Sequence, residues 1–246
     1  MRVLHYLCLV MSVFFHPAVG LASAASAAVA LKDHSSVAVG LFNNMRTPAA
    51  LIGGALVPLG ILSAPVSQQG DSKRLKMFKK ATFLLGIVSL LNQVLAVTYS
   101  SIAINKLVEV PQPPTLTVAE LITENHELPW LGTNIHFILG LMGFTVVVGS
   151  KAYFMHGGNV GKIGMGWTLA ASLQAASLVN RGIAQGSGGT EGVTVRFASN
   201  LFSLILRYAI LAIKNAKGGF FAMAAIAVAA YSTFLTIKFL LNESEE

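Results

Sequence analysis

The sequence predicts an all-α protein: a polytopic transmembrane helical bundle of about six spans, behind a cleavable N-terminal signal peptide. Three observations carry this prediction. Apolar residues make up 54% of the 246 residues and charged residues only 11%, whereas a soluble domain has about 45–50% and about 25%. The apolar residues gather into six runs of helix length, and the basic residues stand in short clusters beside those runs. So little charge leaves a soluble globule of this size unwetted, and the same figures exclude intrinsic disorder. The formal net charge of +7 and pI near 9.7 therefore read as membrane-topology signals. They do not form an aromatic-interleaved basic face, and no nucleic-acid partner is expected.

The elements follow in chain order. Met1 and Arg2 precede an apolar stretch over residues 3–15, and a small-residue run from Ala18 to Ala27 offers A-x-A-like cleavage sites. These are the three parts of a secretory signal peptide, placed at 1–27. The only cysteine, Cys8, lies within it, so the mature chain has no disulfide, thiolate metal site or cysteine nucleophile. Residues 28–47 are rich in Ala, Ser and Val. They read as an exported N-terminal segment or as a transit-like region, and the second reading suits a two-step route into a plastid membrane.

A six-span membrane domain is expected over 48–241, followed by an acidic tail at 242–246. The runs are 48–64, 81–104, 131–150, 163–180, 197–213 and 219–237. Helices suit such runs because each satisfies its own backbone polar groups in lipid. Pro58 interrupts the first run and is expected to kink it. The fifth is the weakest, and lying on the membrane surface is its alternative.

An exported N-terminus puts Lys73, Arg74, Lys76, Lys79 and Lys80 on the cytoplasmic-type side, as the positive-inside rule requires. Lys151, Lys162, Lys214 and Lys217 fall on the same side, nine of the ten acids fall opposite, and both chain ends lie outside. The connection 105–130 is too short for an independent domain. Within it, Thr117-Val118-Ala119-Glu120 reads as a capping box opening a short helix that rests on the membrane surface. Small-residue stripes nominate the bundle centre: Gly132, His136 and Gly140 on the third run, Gly164, Thr168, Ser172 and Ala176 on the fourth, and Ala222, Ala225, Ala229 and Ser232 on the sixth.

Polar residues inside spans are the candidate sites. His136, Gln174, Asn180 and Arg181 share a depth near the outer side, where they would form a polar vestibule for a small solute. Their alternative role is interhelical hydrogen bonding. Asn92, Gln93 and Arg207 are candidate contacts with intramembrane partners; no acid lies within a span, so an ion pair for Arg207 must come from a loop or another chain. His136 is the sole histidine in a run, so bis-histidine haem ligation is not expected. A single axial ligand for a chlorophyll-type magnesium stays open at His136, Asn92 or Gln93.

No cofactor is required by the sequence, no metal site is expected, and no catalytic residues are assigned. Gly157-Gly158-Asn159-Val160-Gly161-Lys162 lacks the phosphate-loop pattern and reads as a tight turn. The chain is accordingly expected to be a non-catalytic membrane subunit or assembly factor, with other membrane subunits and the lipid bilayer as partners. A small polar-solute transporter or channel is the alternative, and a pigment-binding membrane subunit the third reading.

Overall fold

The computed structural model describes residues 31–185, 199–217 and 219–245. The leader at 1–27 and the first residues of the fifth run lie outside them. Seven α-helices make up the described chain: α1 Ser35–Leu56, α2 Lys73–Glu109, α3 Val118–Asn125, α4 Glu127–His156, α5 Gly158–Gln185, α6 Leu201–Ala216 and α7 Phe220–Glu245. Among the described residues there is no strand; the one bridge, Lys32 with Thr115, pins the entry to α1 against the loop before α3. Four helices are long and apolar enough to cross a bilayer: α1 with its extension to Leu62, α2, α4, and α7 over Phe220–Lys238. These four are compatible with a membrane-embedded protein.

The first helix begins at Ser35, thirteen residues before the apolar run that announced it. Asp33 Oδ1 accepts the Ser35 N–H at 2.8 Å at its start, and Pro48 sits inside the helix without ending it. A transmembrane helix tolerates a proline where neighbouring groups satisfy the freed carbonyl. The segment 35–47, expected as an exported tail, is thus continuous with the first span. At Pro58 the missing N–H widens the helix, and Val57–Leu62 is π-helical, the local distortion a proline explains.

The bundle centre differs from the expected one. α2 packs between α1 and α4, with α5 on α4. Along α2 the buried positions are Thr82, Gly86, Ser89, Gln93, Ala96, Ser100, Ala103 and Leu107. This alternation of four and three is the seam of a coiled-coil-like packing, made here almost entirely from small and polar residues. Gly53 of the first helix and Gly132, Gly140 and Gly143 of α4 lie against it closely enough that a Cβ would press on Gln93, Tyr99 or Ser89, and a Cβ at Gly86 would press on the Gly60 carbonyl.

The fourth run's ladder does find a neighbour. Thr168 lies against Gly149, Ser172 hydrogen-bonds Thr145, and Gly164 faces Ala152. The sixth run, by contrast, is peripheral: α7 has none of its membrane-length window buried. Its alanine stripe therefore does not build this bundle's core.

The two ends of the bundle are chemically distinct. At one end Ala38, Phe42, Leu107, Leu121, Ile122, Trp130, Leu131 and Leu204 form a buried apolar cluster, near Asp33, Glu120, Glu124 and Glu127. Phe42 and Trp130 meet edge-on at 5.4 Å. α3 belongs to this cluster. The Thr117 hydroxyl caps it by accepting the Glu120 N–H at 3.1 Å, while the Glu120 carboxylate reaches the Leu116 N–H at 2.8 Å. Ala119, Leu121 and Ile122 are fully buried, so the apolar face of α3 covers protein rather than the expected membrane surface.

At the other end lie the α2 lysines, Lys151, bonded to the Leu59 carbonyl at 3.0 Å and to the Ser63 hydroxyl, and Lys162. Asp71, in the connection before α2, pairs with Lys79 at 2.7 Å. The alternation of α1, α2, α4 and α5 agrees with the charge pattern.

The last two helices depart from it. α6 has 16 residues, about 24 Å of helix against a hydrocarbon core of about 30 Å. Its Leu201, Leu204, Ile205, Tyr208 and Leu211 all pack on the acidic-end cluster. Leu235 and Thr236 of α7 share a cavity with Lys79 and Lys80, placing the second half of α7 at the basic end. Six alternating spans would put it at the opposite end.

Candidate functional site

Four polar side chains, Asn92, Tyr99, His136 and Tyr208, meet where α2, α4 and α6 converge near the acidic end. Consecutive residues on a helix point about 100° apart, so Asn92 and Gln93 serve different neighbours. Asn92 faces α4: its amide NH2 donates to the Val88 carbonyl at 2.8 Å, leaving its oxygen 2.7 Å from His136 Nδ1. That oxygen can only accept, so Nδ1 carries the proton. In the neutral ring Nε2 is then the acceptor, and it takes the Tyr208 hydroxyl at 2.7 Å. The Tyr208 oxygen in turn accepts from the Tyr99 hydroxyl at 3.2 Å.

One donor sense therefore runs Tyr99, Tyr208, His136, Asn92, Val88. The rings reinforce it: Tyr99 stacks on His136 with centroids 5.8 Å apart and 10° between planes, and Tyr208 meets His136 edge-on at 5.2 Å. Gly132, one turn before His136, gives Tyr99 its room.

Gln93 sits between α1 and α4, with its amide toward α4. It is 1% exposed, its amide nitrogen reaches the Phe137 carbonyl at 3.4 Å, and its oxygen has no partner. It fills the space left by Gly53 and Gly140. Beside it a groove of about 310 Å³ opens between α1 and α2, lined by Ala49, Ala50, Gly53 and Gly54.

Arg207, whose ion pair was expected from a loop or from another chain, pairs with Glu127, the first residue of α4, through Nε at 2.6 Å and a terminal nitrogen at 2.5 Å. Glu127 sits in the first turn of its helix, where the macrodipole also favours a carboxylate. The guanidinium thus has its counter-charge inside the molecule and does not by itself call for a partner subunit.

The four residues of the expected vestibule are dispersed. His136 is engaged as above. Gln174 is exposed on α5, Asn180 is exposed and accepts the Leu201 N–H at 3.0 Å where α6 begins, and Arg181 is exposed at the same end. Tyr99 and Tyr208 were missed. Each reads in sequence as an ordinary interfacial aromatic, and only their common depth with His136 singles them out.

His126, just before α4, is fully buried; its Nε2 lies 3.4 Å from Gln112 Oε1 and its Nδ1 has no partner. Burial, helped by the nearby Lys106 charge, holds its pKa below the usual histidine value. Among the described residues no group of three or more His, Cys, Asp or Glu side chains is placed to hold a metal ion. A magnesium ligand at His136 or Asn92 would have to give up one of these hydrogen bonds.

No family model, curated protein or solved structure matches this chain.

Proposed function

We propose that this chain is a non-catalytic integral membrane protein, a subunit or assembly factor of a larger membrane complex, and that α7 is the helix its partner packs against. The observation that carries the reading is α7 itself. It is long and apolar enough to span, none of its spanning window is buried on its own bundle, and it bears Ala222, Ala225, Ala229 and Ser232 in one stripe. Close backbone approach through small residues is how helices associate where lipid is as apolar as the helix. The polar residues of the centre support the same reading, because His136, Asn92 and Tyr208 satisfy one another and hold three helices together.

The test is native-gel and size-exclusion analysis after mild-detergent extraction. The wild type should run in an assembly, and Ala225→Ile with Ala229→Ile should release it without unfolding the bundle. An unchanged assembly, or a protein that transports solute in liposomes on its own, would overturn the reading. The transporter alternative has one observation in its favour, the donor chain from Tyr99 to Asn92; proton flux in liposomes abolished by His136→Ala would establish it instead.

We further propose that the leader directs the chain into the secretory pathway and is removed. The topology we favour has five crossings, α1, α2, α4, α5 and α7, with α6 staying at the acidic end. This replaces six alternating spans because Leu235 and Thr236 lie beside Lys79 and Lys80. Lys214 and Lys217 then sit away from the basic end, the price of this arrangement, while Lys238 joins it. A C-terminal tag should label from the same side as a tag within residues 66–70; labelling from opposite sides would restore six spans.

A further inference from the structure

At the basic end, a cleft of about 520 Å³ opens between α2, α4 and α5, lined among others by Ser72, Arg74, Phe78, Tyr153, Lys162 and Met165. We infer that it binds the phosphate of an anionic ligand, with an anionic membrane phospholipid headgroup as its occupant. The juxtaposition that carries this is Arg74 from the start of α2 and Lys162 from the first turns of α5, cations 88 positions apart in sequence that reach one cavity with no carboxylate in its lining.

The positive-inside rule asks only that both connections be basic; it does not ask that they converge. Among the described residues neither cation has an ion-pair partner. The nearest acid in sequence, Asp71, is taken: it binds Lys79 at 2.7 Å and the Gln68 N–H at 2.8 Å. Those contacts hold the Asp71 carboxyl below its usual pKa, so it stays charged toward Lys79 and leaves Arg74 uncompensated.

The cleft is also built rather than incidental. Gly157 and Gly158, at φ 55° and 47°, turn the chain sharply from α4 into α5. Gly161 then lies so near Tyr153 that a Cβ there would come within 2.8 Å of its Cα, which fixes the first turn of α5, and Lys162 with it, over the opening. Phe78, Tyr153 and Phe154 pack mutually, with ring centroids 4.9–6.0 Å apart. Of these, Phe78 and Tyr153 line the cleft with Leu75 and Met165, an apolar wall beside the two cations suited to the glycerol and upper acyl region next to a phosphate. Basic pockets between transmembrane helices on the cytoplasmic-type side are where acidic headgroups bind. A second cavity at this end, beside Lys79 and Lys80, is larger, but Lys79 there is already neutralised by Asp71.

The experiment uses the purified full-length protein in neutral detergent, titrated with phosphatidylglycerol or phosphatidylcholine and read by native mass spectrometry. Phosphatidylglycerol should be retained in preference. At roughly fivefold per basic contact, Arg74→Gln with Lys162→Gln should weaken its binding about 30-fold. Lys73→Gln, which removes one charge just outside the cleft, should change little. Equal retention of both lipids by the wild type, a double variant that binds like wild type, or an equal loss in Lys73→Gln would each overturn the site. A competition arm with millimolar inorganic phosphate separates the sources. Displacement would assign the same phosphate chemistry to a soluble ligand, and persistence of the lipid preference would assign it to the headgroup.

Discussion

Replacing Gly132 by Ala tests the packing that the site rests on, because the structure gives its sign a definite expectation. A Cβ at Gly132 would lie 2.8–2.9 Å from three atoms of the Tyr99 ring, so the ring must retreat by roughly half an ångström or more to reach ordinary contact. The ring has little freedom to do so: it stacks on His136 and its hydroxyl bonds Tyr208. Overpacking of this kind costs about 1–3 kcal/mol, and losing the Tyr99–Tyr208 bond adds about 0.6 kcal/mol. Against that, Ala is favoured over Gly in a helix by about 1 kcal/mol. The net expectation is a destabilisation of about 0.6–2.6 kcal/mol.

Gly166 supplies the internal control, since it is also helical but has nothing within 4 Å of its Cβ position. There the helix preference acts alone, and Gly166→Ala should stabilise by up to about 1 kcal/mol. Equilibrium unfolding in mixed detergent micelles would read both. A Gly132→Ala protein as stable as wild type, or a Gly166→Ala protein less stable than Gly132→Ala, would refute the reasoning.

Three further outcomes follow from the same geometry. Tyr208→Phe removes the hydroxyl shared by His136 and Tyr99 and should destabilise by about 1–2 kcal/mol; in a double-mutant cycle with His136→Ala the two losses should fall short of their sum. Glu127→Gln and Arg207→Gln should show a coupling of about 0.5–1 kcal/mol that weakens with added salt, because the pair is 22% and 38% exposed and water screens it. For His126 the folded pKa lies below the unfolded one, so the unfolded chain takes up its proton first as pH falls. Stability should therefore be full above about pH 6.5 and decline as pH drops below it toward the folded pKa. His126→Gln should flatten that part of the profile, and an unchanged slope in the variant would exclude His126 as its cause.

Much of the architecture was legible in the sequence because lipid imposes it. Long apolar helices and their order follow from backbone satisfaction and the spacing of the apolar runs. The short helix after Thr117 was legible too, since a cap is a local interaction. Its environment was not: an amphipathic face covers a bundle or a membrane equally well. The start of the first helix was misplaced because hydropathy marks where a helix enters lipid, whereas the start at Ser35 goes with the Asp33 carboxylate on the Ser35 N–H and with contacts to α3. The central seam of α2 was present as small and polar residues alternating at four and three, but the search for stripes favoured glycine and alanine ladders on other runs. The candidate vestibule rested on depth alone, and depth does not say which way a helix is turned.

What the sequence by itself determined is the class of molecule: scarce charge and long apolar runs give an all-α protein with helices long and apolar enough to cross a bilayer, because a helix satisfies its own backbone wherever it is buried. Only the tertiary structure decided what the few polar groups do. Whether Arg207 meets Glu127, whether His136 meets Asn92 and Tyr208, and whether Arg74 and Lys162 line one cleft depend on the rotation of each helix about its axis. That rotation is set by small residues packing within a few tenths of an ångström, a constraint that involves all neighbouring helices at once and is written in no single one of them.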